Sequence, residues 1–302
     1  MKTSDALGFS RVGLSVLVVC GALWGCEDLR FDKRTAPPSP PSAQKDEKVP
    51  RAQSTSKTTI PPTARPGALR KQTGNKTIHS FSTAKKKLQE KVHDNPALRR
   101  TLYCDCTFDS DKKVSHASCG YRCAGDETRA ARVEWEHVVP AARFGHSFVA
   151  WTQGDPACVK KNGKSYKGRK CAHKASEDFR HMEADMYNLF PAVGEVNGLR
   201  QDYPLTEIEG EARRFGSCDM EIEDGRAEPR PAVRGDIART YQYMSAAYPK
   251  RLKFSAKIHQ RLRRWSLSDA VDERECLRVR KIAQIQGNTN GYVEEACQRA
   301  GF

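Results

Sequence analysis

The stretch Arg132-Val-Glu-Trp-Glu-His-Val-Val-Pro-Ala141 decides how this chain is read. Val133, Trp135 and His137 alternate with Glu134 and Glu136, which is the period of a β-strand. Pro140 cannot donate to a ladder and can end the strand. The imidazole of His137 has a proton affinity near neutrality, which suits it to taking a proton from water. Glu136 points to the other side of the strand from His137, yet at a strand end both can reach one metal ion.

Further along lies His181-Met-Glu-Ala-Asp-Met-Tyr-Asn188-Leu-Phe-Pro191-Ala-Val-Gly-Glu-Val-Asn197-Gly198. Pro191 suits the first position of a helix, which predicts Asn197 inside a short helix. Glu and Asn carry hard oxygens that suit Mg²⁺, an ion that keeps several waters and needs one or two protein ligands. A Glu-His pair is more often a surface pair than a catalytic one, so these residues alone leave the chemistry open.

The rest of the chain frames this region. It has 302 residues, 52 Lys plus Arg against 37 Asp plus Glu, and a formal net charge of +15. Hydrophobic residues make up 38%, so a polar segment must dilute an ordinary core. No apolar run beyond residue 30 approaches the ~20 residues of a spanning helix, which excludes a multi-pass membrane protein. The charge points to an anionic partner: nucleic acid, phospholipid or acidic polysaccharide. It is unevenly spread. Residues 27–95 hold 15 basic and seven acidic residues, a surplus of eight, whereas residues 96–302 have a surplus of six.

Three regions follow. Residues 1–26 read as an export signal, with Lys2 and Arg11 before the apolar run Val12–Leu23. Residues 27–92 read as a disordered Pro/Ser/Thr/Lys-rich linker, since half of the 16 prolines lie between Pro37 and Pro66. Residues 93–302 read as one domain with aromatic, cysteine and periodic apolar content. Within it, Val233, Ile237, Tyr241, Met244 and Tyr248 predict one helix, and Ile258, Leu262 and Trp265 a second. A third is expected from Ser268 to Ile285 with Asp269 in its first turn. Short strands followed by helices make an α+β pattern.

Nine cysteines lie beyond the export segment, and in an exported chain that density favours disulfides. A four-thiolate zinc site at Cys104, Cys106, Cys119 and Cys123 is the competing possibility. Only one residue separates Cys104 from Cys106, and the compartment is oxidising, so disulfides are expected. Cys158 and Cys171 can staple a Lys/Gly-rich loop, and Cys276 and Cys297 can pin the last helix. One cysteine of the nine is left over.

Taken together, the residues resemble the bacterial endonuclease I family of exported, non-specific nucleases, from about Leu102 to Cys297. The resemblance rests on Tyr103-Cys-Asp-Cys106, Ser118-Cys-Gly-Tyr121, the stretch from Arg132 to Ala141, Phe144-Gly-His146 and Arg180-His-Met-Glu-Ala-Asp185. It continues through Gly194-Glu-Val-Asn-Gly198, Arg234-Gly-Asp-Ile-Ala-Arg-Thr-Tyr241 and Ile285-Gln-Gly-Asn288. It implies a disulfide-stabilised domain around a ββα-metal (His-Me finger) core. It implies metal ligands at Glu136 and Asn197, and a general base at His137. Arg169 in Lys167-Gly-Arg-Lys170 would lie at the scissile phosphate, with Arg143, Arg180 and Arg200 as alternatives, and Glu183 beside the site.

The activity so implied is Mg²⁺-dependent hydrolysis of DNA and RNA phosphodiesters with 5′-phosphate products; Mn²⁺ or Ca²⁺ can stand for Mg²⁺. A monomer is expected. The alternatives are a surface lipoprotein that binds nucleic acid without cutting it, and a protein for acidic polysaccharide. Leu23-Trp-Gly-Cys26 resembles a lipoprotein box apart from Trp24, so Cys26 is a candidate for lipidation, and the location is the periplasm, the cell surface or the medium. Relative to the family, Leu199-Arg200 replaces Asp-Arg, Asn290-Gly291 replaces Asn-Pro, and Cys123 is extra. His146 and His181 are read as structural hydrogen-bonding groups, and Trp135 as core.

Overall fold

A computed structural model describes residues 71–210 and 212–302. The export segment and Cys26 lie outside the described residues. In chain order the elements are α1 (Phe81–Lys87), α2 (Glu127–Ala130), β1 (Val133–His137), α3 (Ala141–Gly145) and α4 (Val149–Thr152). There follow α5 (Arg169–Ala175), α6 (Glu177–Glu183), β2 (Leu189–Val193), α7 (Gly194–Arg200), β3 (Met220–Glu223) and β4 (Arg226–Pro229). Four longer helices complete the chain: α8 (Arg234–Ala247), α9 (Ala256–Ser268), α10 (Glu273–Gln286) and α11 (Gly291–Ala300). The architecture is α+β, with two separate antiparallel two-stranded sheets.

The alternation in the deciding stretch does form β1, and it stops short of Pro140. β1 pairs antiparallel with β2, with His137 opposite Leu189 and Glu136 opposite Phe190. α7 then packs back on both strands. Beyond His137 the pairing is completed by a side chain. Asn188 accepts from Val139 N–H at 2.7 Å and donates to Val139 C=O at 2.9 Å, holding the chain as it leaves the strand.

Pro191 is not at a helix start. It lies within β2 opposite Trp135, and its carbonyl accepts from Leu102 N–H at 2.8 Å. Proline is tolerated there because a two-stranded ribbon leaves edge positions that need no donor. The helix opens instead at Gly194. A Cβ at Gly194 would sit 2.6 Å from the Arg129 carbonyl, and one at Gly198 would sit 1.9 Å from Arg129 Nη1. Both residues of this Gly-x-x-x-Gly spacing are thus small because Arg129 crosses the face of α7.

The folded unit begins upstream of His93, which corrects the expected linker boundary. Ile78, Ala84, Leu88 and Val92 are all buried at 2% exposure or less. Ser80 caps α1 by accepting from Thr83 N–H, and a π-helical turn, Leu88–Val92, continues it. The anchor is Asp185, fully buried, which accepts from Asn75 N–H and from the hydroxyls of Tyr243 and Tyr248. Apolar residues at positions 78, 81, 84, 88 and 92 sit among Lys and Gln, so average composition conceals them.

α8 and α9 form where the periodicity predicts. The third helix starts later than expected. Asp269 ends α9, and Asp272 caps α10 by accepting from Glu275 N–H at 2.6 Å. α8 and α10 are joined by a buried two-bond pair, Arg239 to Glu275 at 2.8 and 2.6 Å. Disulfides link Cys104–Cys218, Cys106–Cys119, Cys158–Cys171 and Cys276–Cys297. They use three of the four thiols of the possible zinc site, and Cys123 is the free one among the described residues.

Candidate active site

The end of β1, the helix α7 and the start of α5 meet on a cleft of about 870 Å³. Glu134, Glu136, His137, Arg169 and Asn197 line it, and α1 forms another wall through Phe81, Lys85 and Lys86. Four of the five residues expected at the site are therefore brought to one cleft. Glu183 is not among the described residues that line it.

His137 is held in one tautomer. Its Nε2 lies 2.8 Å from the Glu183 carbonyl, which can only accept, so Nε2 bears the hydrogen and Nδ1 keeps a lone pair. The Phe81 ring packs against the imidazole at 4.8 Å between centroids. Burial, and then the charge of Arg169, push its pKa down to about 4. At neutral pH the ring is an uncharged acceptor, the form a general base needs.

Glu183 does its work from behind. Its Oε1 accepts from Arg169 Nε at 2.5 Å and its Oε2 lies 2.7 Å from His173 Nδ1, while its carbonyl holds His137. One buried residue thus positions both His137 and Arg169. Arg169 Nε is committed to Glu183, and the guanidinium passes over Phe81 at 5.3 Å. The Nη edge is the part left to meet an anion.

Glu136 is buried at 3% exposure. Its Oε1 accepts from Tyr103 Oη at 2.8 Å and from Arg200 Nη1 at 2.6 Å. Burial raises its pKa, against the pull of Arg200 and the Tyr103 bond. Arg200 also donates to the carbonyls of His137 and Val138, at 3.0 and 2.9 Å. It is therefore a buried strut from the end of α7 to the end of β1, not a phosphate group's partner. Arg180 is turned to the His173 carbonyl at 3.0 Å.

Asn197 projects from the middle of α7, as the sequence predicted, though from a helix that starts three residues later. Its Nδ2 donates to Glu134 Oε2 at 2.9 Å, which leaves the carboxamide oxygen as an available acceptor. Glu134 also takes Arg129 at 3.0 and 2.5 Å and Arg132 at 3.0 Å. Burial works against its charge, but Arg129, Asn197 and Arg132 outweigh it and keep its pKa low.

The donor set fits a hard divalent cation. Both side-chain bonds of Glu136 fall on Oε1, so Oε2 is the oxygen left to bind, and Asn197 offers a second hard oxygen. A cation would also relieve the burial that raises the Glu136 pKa. Sequence reasoning missed Glu134, Tyr103, His173 and Phe81. The i, i+2 spacing of Glu134 and Glu136, which sets both on one face of β1, was the available signal for the first.

A ββα unit that joins a fixed-tautomer histidine to Glu and Asn oxygens in one cleft defines a metal-dependent nuclease of the His-Me finger class. Residues 69–297 match the family model described as Endonuclease I. An extracellular deoxyribonuclease of Aeromonas hydrophila is 39% identical over 227 residues, spanning 73% of this chain and 90% of that protein. A periplasmic deoxyribonuclease of the same species is 39% identical over 225 residues, 72% of this chain and 87% of that one. Endonuclease-1 of Buchnera aphidicola (subsp. Acyrthosiphon pisum) is 36% identical over 231 residues, 74% and 84% of the two chains. The chain belongs to the endonuclease I family. Four disulfides agree with export to an oxidising compartment.

Proposed function

We propose that the chain hydrolyses phosphodiester bonds of DNA and RNA without sequence preference, with Mg²⁺ as its cation, and leaves 5′-phosphate ends. The observation that carries this is the bond from His137 Nε2 to the Glu183 carbonyl. It leaves Nδ1 as the atom that takes the proton from the attacking water. Arg169 meets the phosphate through its Nη edge, as a forked donor held in place by Glu183. Glu136 and Asn197 would hold the cation, which would supply neutralisation of the charge that develops in the reaction. Lys85 and Lys86 stand on the cleft wall where neighbouring phosphates would run. Contacts of this kind go to the backbone, which carries no sequence information.

The deoxyribonuclease names of the relatives support DNA as a substrate. RNA is the broader part of the proposal. The enzyme acts as a monomer, exported by residues 1–26. Cys26 is the candidate lipid attachment point, and residues between it and the folded unit would serve as the tether. The test is digestion of supercoiled plasmid and of RNA with Mg²⁺ and with EDTA, followed by end analysis. Cleavage of both with Mg²⁺, none with EDTA, and 5′-phosphate ends are expected. Intact nucleic acid with Mg²⁺ would leave a binding protein in its place.

A further inference from the structure

A second group of metal-ligating side chains stands apart from the cleft. His79, Glu177 and His181 each place one ligand atom within 4.8 Å of the other two. His181 Nε2 lies 3.0 Å from His79 Nδ1, and Glu177 Oε1 lies 3.9 Å from His79 Nδ1 and 4.0 Å from His181 Nε2. Ligands at 2.0–2.1 Å on a tetrahedral ion are about 3.3–3.4 Å apart, so the triangle needs adjustments of only about half an ångström per edge.

We propose that these three residues form a binding site for a Zn²⁺-class divalent cation. Two imidazole nitrogens and one carboxylate suit zinc and its neighbours, whereas Mg²⁺ prefers an all-oxygen set. Three protein ligands leave a fourth position for water. The positions are prepared by the fold. Glu177 and His181 stand at i, i+4 on α6, which Ser176 caps through Phe179 N–H. His181 is buried, and its carbonyl accepts from Asn75 Nδ2 at 2.9 Å. The Asn75 side chain also accepts from Ile78 N–H at 2.9 Å, closing the turn that delivers His79. His79 and Glu177 are exposed, each at 65% of its side chain, so an ion can enter without opening the core. Lys76 and Asp178 pair at the rim at 3.7 Å.

Such an ion would fasten the start of α1 to α6. α1 carries Phe81, which packs on His137, and α6 carries Glu183, which holds His137 and Arg169. The cation is structural: it clamps the wall of the cleft to the helix behind the base. The assignment rests on the cluster's own geometry and does not depend on the nuclease reading.

Equilibrium dialysis with Zn²⁺, in Mg²⁺ excess to occupy the hard-oxygen ligands, tests it on the full chain. The wild type should retain one more Zn²⁺ per chain than either His79→Ala or Glu177→Gln. Zn²⁺ should raise the wild-type melting temperature and leave both variants unmoved. Co²⁺ should give the visible absorption of a tetrahedral site in the wild type alone. Both side chains are exposed, so both variants should fold and keep the Mg²⁺-supported cleavage rate, which separates this site from the cleft. Equal Zn²⁺ stoichiometry in wild type and variants, or an equal thermal shift, would overturn the assignment.

Discussion

Arg200 Nη1 lies 2.6 Å from Glu136 Oε1, and both side chains are almost wholly out of solvent, at 1% and 4% exposure. Burial raises the Glu136 pKa, and the Arg200 guanidinium pulls it back down. Removing it leaves a buried charge without its partner, which costs about 3–5 kcal/mol. Arg200→Met should therefore lower the urea midpoint sharply. In whatever fraction folds, the Mg²⁺ concentration for half-maximal cleavage should rise, since Glu136 would then bind a proton more readily. An unchanged urea midpoint would show that the pair contributes nothing.

The pH dependence follows from His137. Its folded pKa is about 4, below the 6.5 of free imidazole, so the ring stays neutral well into acid. The acid limb of kcat/KM should lie below pH 6.5. Arg169 is one cause of the depression, so Arg169→Gln should move that limb to higher pH while also slowing the reaction. A limb that stays put in the variant would assign it to another group.

The same shift has a stability consequence of fixed sign. Between the folded value near 4 and the unfolded 6.5, the unfolded chain binds the extra proton. Stability should thus fall as the pH drops from about 6.5 to about 4, by up to about 3 kcal/mol from this group. His137→Gln should flatten that part of the stability profile, as read by urea denaturation at several pH values.

Glu183→Gln separates positioning from proton transfer. The carbonyl that holds His137 remains, while the carboxylate that holds Arg169 and His173 loses its charge. Cleavage should slow by about 10–100-fold, as for other groups that orient a ligand from behind. The loss should be smaller than in His137→Ala. Equal losses would place the Glu183 carboxylate in the chemical step itself.

Disulfide removal should rank by loop length. Cys104–Cys218 spans 114 residues and Cys158–Cys171 spans 13. Chain-entropy arguments give about 5 and about 3 kcal/mol for the two. The double Cys→Ala variant of the first pair should melt at the lower temperature of the two.

Strand and helix periods placed Glu136 and His137 on β1 and Asn197 on a short helix, but their roles were read from the family resemblance rather than from the pattern. Pro191 misled, since proline is equally at home at a helix start and on an unpaired strand edge; only the partner strand decides. Asp269 and Asp272 are both good capping residues; in the fold Asp272 accepts from Glu275 N–H, whereas Asp269 turns its carboxylate to Gly235 N–H on α8. Arg200 carries no local mark that tells a buried strut from a solvent-facing cation. Nothing in the neighbours of Glu183 says that it reaches the cleft only through Arg169 and His137. His181 read as structural because its partner His79 lies 102 residues away. The charge split also shifts. Lys71, Lys76, Lys85, Lys86, Lys87 and Lys91 belong to the described fold rather than to a linker, so part of the upstream surplus stands at the cleft.

The early start of α1 sets a practical limit on how this protein can be trimmed. A chain cut at His93, where composition changes, would look complete by its motifs and would keep Glu136, His137, Arg169 and Asn197 of the cleft. It would nevertheless be born with one side of the cleft missing, an uncovered imidazole, and Asp185 short of its bond from Asn75. Secretion vectors and protease-resistant fragments alike should begin upstream of Gln72, because the inconspicuous lysine-rich turn after the prolines is a part of the working enzyme.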